Sequence, residues 1–190
     1  MRGGGKALVR LALPGLAVIT AGLLLAGKTS QRVGNPAVPG PLKQVDLPRY
    51  LGRWYELARY DSGFGRRQEA VRVDYIQRPD GQIGIVNTAR RGRPDGPVRV
   101  AAGRAKVVPG SGNAQWRVVS FGGLFREHYW VLDHDDDYSW AVVGEPSGRY
   151  LRILTREAVP ETAVQDLLIT RARALGFDPH RLRRTVHPAG

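Results

Sequence analysis

Cysteine is absent from this 190-residue sequence, and methionine occurs once. Disulfide bonds, thiolate metal sites and cysteine nucleophiles are therefore excluded. The sequence also lacks helix-turn-helix, zinc-finger and ribonucleoprotein motifs, the usual signatures of nucleic-acid-binding proteins. An uncharged apolar run at residues 11–26 has 16 residues and is shorter than the ~20 that a membrane-spanning helix needs.

Acidic residues are scarce relative to basic ones. The chain has 17 Asp and Glu against 29 Lys and Arg, a net charge of +12, and 25 of the basic residues are arginine. This excess favours contact with an anionic membrane surface, or simply keeps the protein soluble. We expect no nucleic-acid partner, because no recognition motif accompanies the charge.

The N-terminus has the composition of an export signal. Three basic residues precede the apolar run, and residues 1–27 contain no acid, which predicts a signal peptide, with a retained membrane tether as the alternative. Leu25-Ala26-Gly27 resembles the residues before the lipidated cysteine of bacterial lipoproteins, but Lys28 stands in the cysteine position. Because a thioether-linked lipid needs a thiol, we expect an extracytoplasmic protein of the cell envelope, periplasmic or membrane-associated, that is not a lipoprotein.

The folded part is expected to begin at residue 45. Residues 28–44 contain three prolines and two glycines without periodicity, which predicts a linker. Within residues 45–190, short β-rich runs alternate with turn signals such as Pro79-Asp80-Gly81. The pattern predicts eight strands, at residues 54–60, 71–78, 82–90, 98–108, 115–121, 129–133, 139–145 and 150–155.

Helical periodicity occurs once, after Pro160. Its apolar stripe consists of Val164, Leu167, Leu168, Ala172 and Leu175. Gly176 is expected to end the helix and Phe177 to fold back onto it. One helix cannot cover both faces of a sheet of eight short strands. We therefore expect an all-β fold, an antiparallel up-and-down barrel closed on itself, with this C-terminal helix packed outside.

The fourth predicted strand indicates which residues line the barrel. Because Arg104 and Lys106 should face water, the residues that alternate with them point inward. These inward residues are Ala101, Gly103, Ala105 and Val107. Small inward side chains leave room for a ligand, or alternatively they offset bulky neighbours.

The first strand begins with the stretch "GRWYELARY" at residues 52–60. Gly52 lets the backbone enter the barrel tightly, and Trp54 is large enough to plug one end. Arg156 is expected to lie over the Trp54 indole ring while its N–H groups bind strand-end carbonyls.

If Trp54 points inward, the period of two also turns Glu56, Ala58 and Tyr60 inward. A carboxylate in an apolar interior is costly unless it is hydrogen-bonded or paired. We therefore expect Glu56 to meet an arginine or a tyrosine, or to sit in wet space, in a partly polar interior near the base.

Three stretches, in order, resemble the signatures of the lipocalin family in its bacterial, apolipoprotein D-like branch. They are "GRWYELARY" at 52–60, "DYSWAVVGEPSGRYLRILTR" at 137–156 and "VPETAVQDLLITRARALGFDPHRL" at 159–182. The resemblance covers about residues 45–187. It implies an eight-stranded barrel that binds a small hydrophobic molecule, and for the bacterial branch a fatty acid or lysophospholipid, with a role in envelope lipid transport or storage.

The resemblance also implies a set of structural residues, which are Gly52, Trp54, Tyr55, Asp137, Tyr138 and Arg156. By position, Gly52 and Trp54 form the base of the barrel, Asp137 and Tyr138 support it, and Arg156 closes it.

The candidate ligand-binding residues are Glu56, Ala58, Tyr60, Phe64, Arg66, Arg67, Tyr75, Gly103, Ala105, Trp140 and Arg152. The aromatic members are expected in the wall or at the mouth. Arg66 and Arg67 follow the first strand and either engage a phosphate or carboxylate or form a solvated loop. Arg152 meets an acidic head group if it shares the inward face of Leu154; otherwise its side chain reaches the rim.

No constellation in the sequence predicts catalysis. The run from Asp133 to Asp137 has neither calcium-loop nor zinc-site spacing, and Ser111 lies outside any Gly-x-Ser-x-Gly turn. We expect no metal, no cofactor and no enzymatic activity. A lipid-processing enzyme of the same fold and a ligandless surface interaction protein are the alternatives, and both a monomer and a homodimer remain open.

Overall fold

Alternating apolar residues between tight turns organise the chain into antiparallel strands. The computed structural model describes residues 38–61, 67–120 and 125–188, and within these ranges it has nine strands and two α-helices. The strands are β1 Gly52–Tyr60, β2 Gln68–Gln77, β3 Ile83–Arg91, β4 Val98–Val107, β5 Gln115–Ser120, β6 Phe125–His134, β7 Trp140–Gly144, β8 Leu151–Thr155 and β9 Leu182–Arg184. The helices are α1 Leu47–Tyr50 and α2 Thr162–Ala174, and a 3₁₀ turn at Pro179–Arg181 leads into β9.

The first eight strands close into a barrel. Hydrogen-bonded neighbours run from β2 through β8 in chain order and then to β1, which also pairs with β2, and the pairings are antiparallel. Closure removes the exposed sheet edges and confirms the predicted up-and-down barrel. The sequence did not indicate α1 or β9. β9 pairs with β1 at residues 58–60, whereas β2 pairs with β1 at residues 52–55.

Helix α2 packs outside the barrel, as expected. Leu168, Ala172 and Phe177 are buried against the outer side chains of the strands. Gly176, with φ +85°, follows the helix, and the Phe177 amide donates to the Ala172 carbonyl at 3.0 Å. The predicted apolar stripe is wrong at Leu167, which is 49% exposed because it lies on the side of α2 away from the barrel.

A β-bulge in β1 reverses the faces of its second half. The register to β8 shifts by one residue between Glu56 and Ala58. Beyond the bulge, Arg59 reaches the Glu56 carboxylate in the interior, while Ala58 and Tyr60 pack in the outer cluster beneath α2. The expectation that Ala58 and Tyr60 point inward is therefore wrong, because one extra residue breaks the period of two.

The start of β1 forms a closed floor with α1. Trp54 is fully buried, and its indole N–H donates to the Tyr50 carbonyl at 2.8 Å. The guanidinium carbon of Arg156 lies 3.8 Å from the centroid of the Trp54 ring, so the predicted cation–π contact is present. Gly52 turns the chain into β1 with φ +95°, a conformation that favours glycine. Arg156 also donates to the carbonyls of Arg49, Tyr50, Leu51, Arg53 and Tyr138.

The residues before α1 lie along the base of the barrel. The Leu42 amide donates to the Leu132 carbonyl at 2.9 Å, and the Val45 amide donates to the Gly112 carbonyl at 2.8 Å. The end of the predicted linker is thus held against the barrel. Residues 1–37, with the predicted signal peptide or tether, lie outside the described residues. Neither helix in the described ranges is long and apolar enough to cross a membrane.

Replacing Arg156 by lysine is expected to destabilise the protein by about 2 kcal/mol, because an ammonium group cannot keep both the ring contact and the fan of carbonyl bonds. Urea unfolding followed by tryptophan fluorescence measures the change. Arg149→Lys is the matched control, since Arg149 is exposed; its free energy of unfolding should change by less than about 0.5 kcal/mol. Equal losses in the two variants would contradict the role of Arg156.

Candidate functional site

Aromatic side chains fill the barrel interior just above the floor. They are Tyr50, Trp54, Tyr75, Trp116 and Tyr129. The Tyr75 hydroxyl donates to the Tyr129 hydroxyl at 2.7 Å, and the Tyr50 and Tyr129 hydroxyls are hydrogen-bonded at the same distance. Burial raises the pKa of Tyr75 to about 12 and also raises the pKa values of Tyr50 and Tyr129. This aromatic layer therefore carries no charge at neutral pH.

An ionic layer centred on Glu56 lies above the aromatic layer. Glu56 is 1% exposed, and Arg59 donates to its carboxylate. Arg152 Nε is 2.9 Å from Glu56 Oε2, in ionic contact without hydrogen-bond geometry. The Thr185 hydroxyl donates to Glu56 Oε1 at 2.6 Å. The expected arginine partner of Glu56 is present, and the interior is partly polar.

The Glu56 carboxyl is ionised at neutral pH. Burial by itself raises its pKa, but the charges of Arg152 and Arg59 and the Thr185 hydrogen bond outweigh burial, and the net pKa lies below the ordinary value of 4.5. Two guanidinium groups thus contact the one carboxylate of Glu56.

Arg152 points into the barrel, on the same face of β8 as Leu154. Leu154 belongs to the interior cluster, and Arg152 lies two positions before it on the strand. Arg152 Nη1 lies 3.4 Å from Asn87 Oδ1 on β3, a strand that does not neighbour β8. The Arg152 side chain therefore crosses the interior, where it remains 23% exposed. The carboxyl of Glu127 is nearby, and burial raises its pKa although Arg152 lowers it.

Small residues on β4 lie at the level of the ionic layer. Ala101 is directly opposite Asn87, and Gly103 is opposite Ile85. Along β4, Ala105 is 1% exposed and belongs to the interior cluster, whereas Arg104 is exposed. The predicted alternation of β4 is confirmed, and the wall facing Arg152 is built from some of the smallest residues of the barrel.

Some predicted ligand-binding residues lie outside the interior. Trp140 packs beneath α2, with the guanidinium carbon of Arg171 5.8 Å from its ring centroid, so its assignment to the ligand wall is wrong. The cause is the register of β7 and β8. Trp140 pairs with Thr155, which is adjacent to the inward Leu154 and therefore lies on the opposite face. Tyr60 stacks edge-on against Phe177 at 5.7 Å.

The mouth loop is only partly described. Phe64 and Arg66 lie outside the described residues, and Arg67 is exposed just before β2. The ends of β1 and β2 that flank this loop lie at the opposite end of the barrel from Trp54 and α1. The proposed contact of Arg66 and Arg67 with a head group stays a prediction.

Sequence reasoning missed residues that the bulge and β9 bring into the ionic layer. Arg59 enters because the bulge reverses β1, and Thr185 enters because β9 lies beside β1. Neither event leaves a periodic signal in the sequence. Asn87 carried a usable signal, since it is a polar residue at an inward position of β3, between Ile85 and Ala89.

Of the remaining signature residues, Asp137 and Tyr138 lie in the turn at the base, and Tyr55 lies on the outer wall. The Asp46 amide donates to the Tyr138 hydroxyl at 2.7 Å, and Tyr138 takes φ +64° in the turn after β6. The Ser139 amide donates to the Asp137 carboxylate at 2.7 Å, which lowers the pKa of Asp137. Tyr55 points outward, with its ring centroid 5.7 Å from that of His187.

The acidic run after β6 is used structurally. The two ring nitrogens of His134 lie 2.7 Å from the Asp135 carbonyl and 3.0 Å from the Gln44 carbonyl. Asp133 is 2% exposed and accepts from the His134 amide. Over residues 38–61, 67–120 and 125–188, no group of three His, Asp or Glu side chains is placed to hold a metal ion.

Glu56→Gln is expected to cost about 3 kcal/mol of unfolding free energy at pH 7, because it leaves the buried Arg59 and the half-buried Arg152 without this carboxylate. The folded-state pKa of Glu56 is depressed, so its contribution is present above about pH 4.5 and is lost as the pH falls through the folded value. The difference from wild type should therefore shrink towards pH 3. Urea unfolding at several pH values measures it, and a constant difference contradicts the assignment.

Known proteins share both the sequence pattern and the fold of this chain. The lipocalin-like domain family matches residues 45–187. The outer membrane lipoprotein Blc of Vibrio cholerae is 37% identical over 153 residues, covering 79% of this chain and 87% of that protein. Apolipoprotein D of Rattus norvegicus is 30% identical over 114 residues, covering 60% of this chain and 58% of that protein.

The fold comparison agrees. Insecticyanin from the tobacco hornworm Manduca sexta superposes with a TM-score of 0.62 at 18% identity, over 82% of this chain and 90% of that one. The family match thus covers the part of the chain that forms the closed eight-stranded barrel, its floor residues Trp54 and Arg156, and the outer helix. The chain belongs to the lipocalin-like family.

Proposed function

We propose that the protein is an exported carrier that holds a single-chain lipid, a fatty acid or a lysophospholipid, inside its barrel. The observation that carries this proposal is the position of Arg152. Its guanidinium group lies in the interior, shares Glu56 with Arg59, and keeps part of its surface exposed. An anionic head group is the complement of the exposed part of this guanidinium.

The walls around Arg152 suit an alkyl chain. Val71, Val73 and Ala89 are buried, and Ala101 and Gly103 leave the opposite wall shallow. Burying 10 to 14 methylene groups at about 0.8 kcal/mol each, less the costs of ordering and association, supports affinities from micromolar to nanomolar. A carboxylate or phosphate adds charge-assisted hydrogen bonds to Arg152.

We place this carrier in the cell envelope. The apolar run after the basic N-terminus supports export, and the Vibrio cholerae relative is named an outer membrane lipoprotein. That name gives no support to the expectation that this chain is not a lipoprotein, which rests on the lack of cysteine alone. The role in envelope lipid transport or storage belongs to the same proposal, for a monomer or a homodimer.

Replacing Arg152 by methionine is expected to weaken the binding of a fluorescent fatty acid about 10- to 100-fold, because a charge-assisted hydrogen bond contributes about 1.5–3 kcal/mol. Fluorescence titration of the delipidated full chain measures the dissociation constants. Arg173→Met, which removes an exposed charge on α2, is the matched control and should bind as wild type.

The chemical source of the loss is tested with a fatty alcohol of the same chain length. Wild type should prefer the acid, and Arg152→Met should lose that preference while still binding the alcohol. An unchanged acid preference in Arg152→Met would overturn the role of Arg152.

Mass spectrometry of lipids extracted with the wild-type protein separates the alternatives. Intact lipid supports the carrier, and turnover of added lipid supports an enzyme. Absence of both lipid and titratable binding supports a ligandless interaction protein.

A further inference from the structure

The outer wall of the barrel carries a concentrated positive patch over β4, β5 and β6. We call this patch the basic face and define it by Arg104, Lys106, Arg117, Arg126 and His128. These side chains are exposed. They line a concavity of about 440 Å³ together with Gln82, Val118, Val119 and Glu127.

The register of the strands concentrates these charges. Lys106 lies directly opposite Arg117, so two positive charges meet across neighbouring strands, and the imidazole ring of His128 follows in the same row. In the neighbouring row, Arg104 and Arg126 flank a valine on β5. Like charges directly opposite one another destabilise a sheet. The arrangement is therefore a cost to the folded barrel unless something outside neutralises it.

Within the described ranges of the chain, no carboxylate forms an ion pair with any residue of the basic face, in contrast to other surface arginines. Arg53 is 2.8 Å from Asp74, and Arg93 is 3.1 Å from Asp95. Glu127 also lines the concavity. It is paired with Val118 across β5 and β6, and Val118 is paired with the inward Ala105, so the Glu127 side chain belongs to the inward face. The basic face thus presents uncompensated charge to its surroundings.

Apolar side chains continue the same outer surface towards the mouth of the barrel. Val98 and Val100, on the outward line of β4 that leads to Arg104, are 50% and 51% exposed. Exposed aliphatic groups beside arginine and lysine suit the boundary between lipid head groups and acyl chains. Among the described residues, the lining of the concavity contains no tryptophan, tyrosine or phenylalanine on which a nucleic-acid base would stack.

We propose that the basic face docks the protein on an anionic phospholipid surface. The guanidinium and ammonium groups bind lipid phosphates, and the neighbouring valines contact the head-group boundary. This inference goes beyond lipid carriage, because the surface involved is on the outside of the barrel and the carried lipid is inside. It orients the barrel with one wall against the membrane.

The test is sedimentation of the full chain with vesicles of phosphatidylcholine alone, or of equal parts phosphatidylcholine and phosphatidylglycerol. The N-terminal apolar run contributes equally to every variant, and the neutral vesicles measure that contribution. Arg104→Gln with Arg117→Gln should weaken partition onto anionic vesicles about 30-fold, since each basic residue near such a surface contributes about fivefold. Arg149→Gln with Arg173→Gln removes the same charge elsewhere and should weaken it much less.

Three results would overturn the proposal: equal losses in the two double variants, wild-type partition that does not differ between the two vesicle types, or binding of duplex DNA that displaces the protein from vesicles and is lost with the basic face. Urea unfolding followed by tryptophan fluorescence should be unchanged in both double variants, which shows that they are folded and keeps this test independent of the carrier proposal. Lys106→Gln with Arg126→Gln provides a second pair should the first fail to fold.

Discussion

The barrel depends on one interaction at its floor, the guanidinium of Arg156 against the indole of Trp54. The ring contact at 3.8 Å uses one face of the guanidinium, and its N–H groups bind carbonyls of α1, of the start of β1 and of the turn before β7. A planar cation with a fixed fork of donors makes both kinds of contact at once. In the proposed carrier, the ligand enters from the end of the barrel opposite this floor.

Above the floor, the interior changes from neutral to ionic within a short distance. The tyrosine hydroxyls of the aromatic layer satisfy one another, so that layer needs no charge. Glu56 is different, because burying a carboxylate between Arg59 and Arg152 gains little stability over a well-packed apolar layer. In the proposed carrier, this layer supplies an electrostatic preference for acidic amphiphiles.

The period of two in a β-strand gives this barrel two independent surfaces. On β4, Ala101, Gly103 and Ala105 face inward, while Arg104 and Lys106 face outward from the same few residues of chain. Substitutions at outward positions can therefore change the outer wall without changing the side chains of the interior. The proposed lipid site and the proposed membrane face are separable for this reason.

The sequence by itself determined the eight barrel strands, the outer helix, the Trp54–Arg156 contact and the alternation of β4, because each depends on local periodicity or on a few side chains in a repeated pattern. Tertiary structure decided the rest. The bulge turned Ala58 and Tyr60 outward and brought Arg59 in, β9 supplied Thr185, and register placed Trp140 beneath α2. These outcomes follow from how strands pair across the barrel, and a single inserted residue reverses faces without changing the composition of the strand.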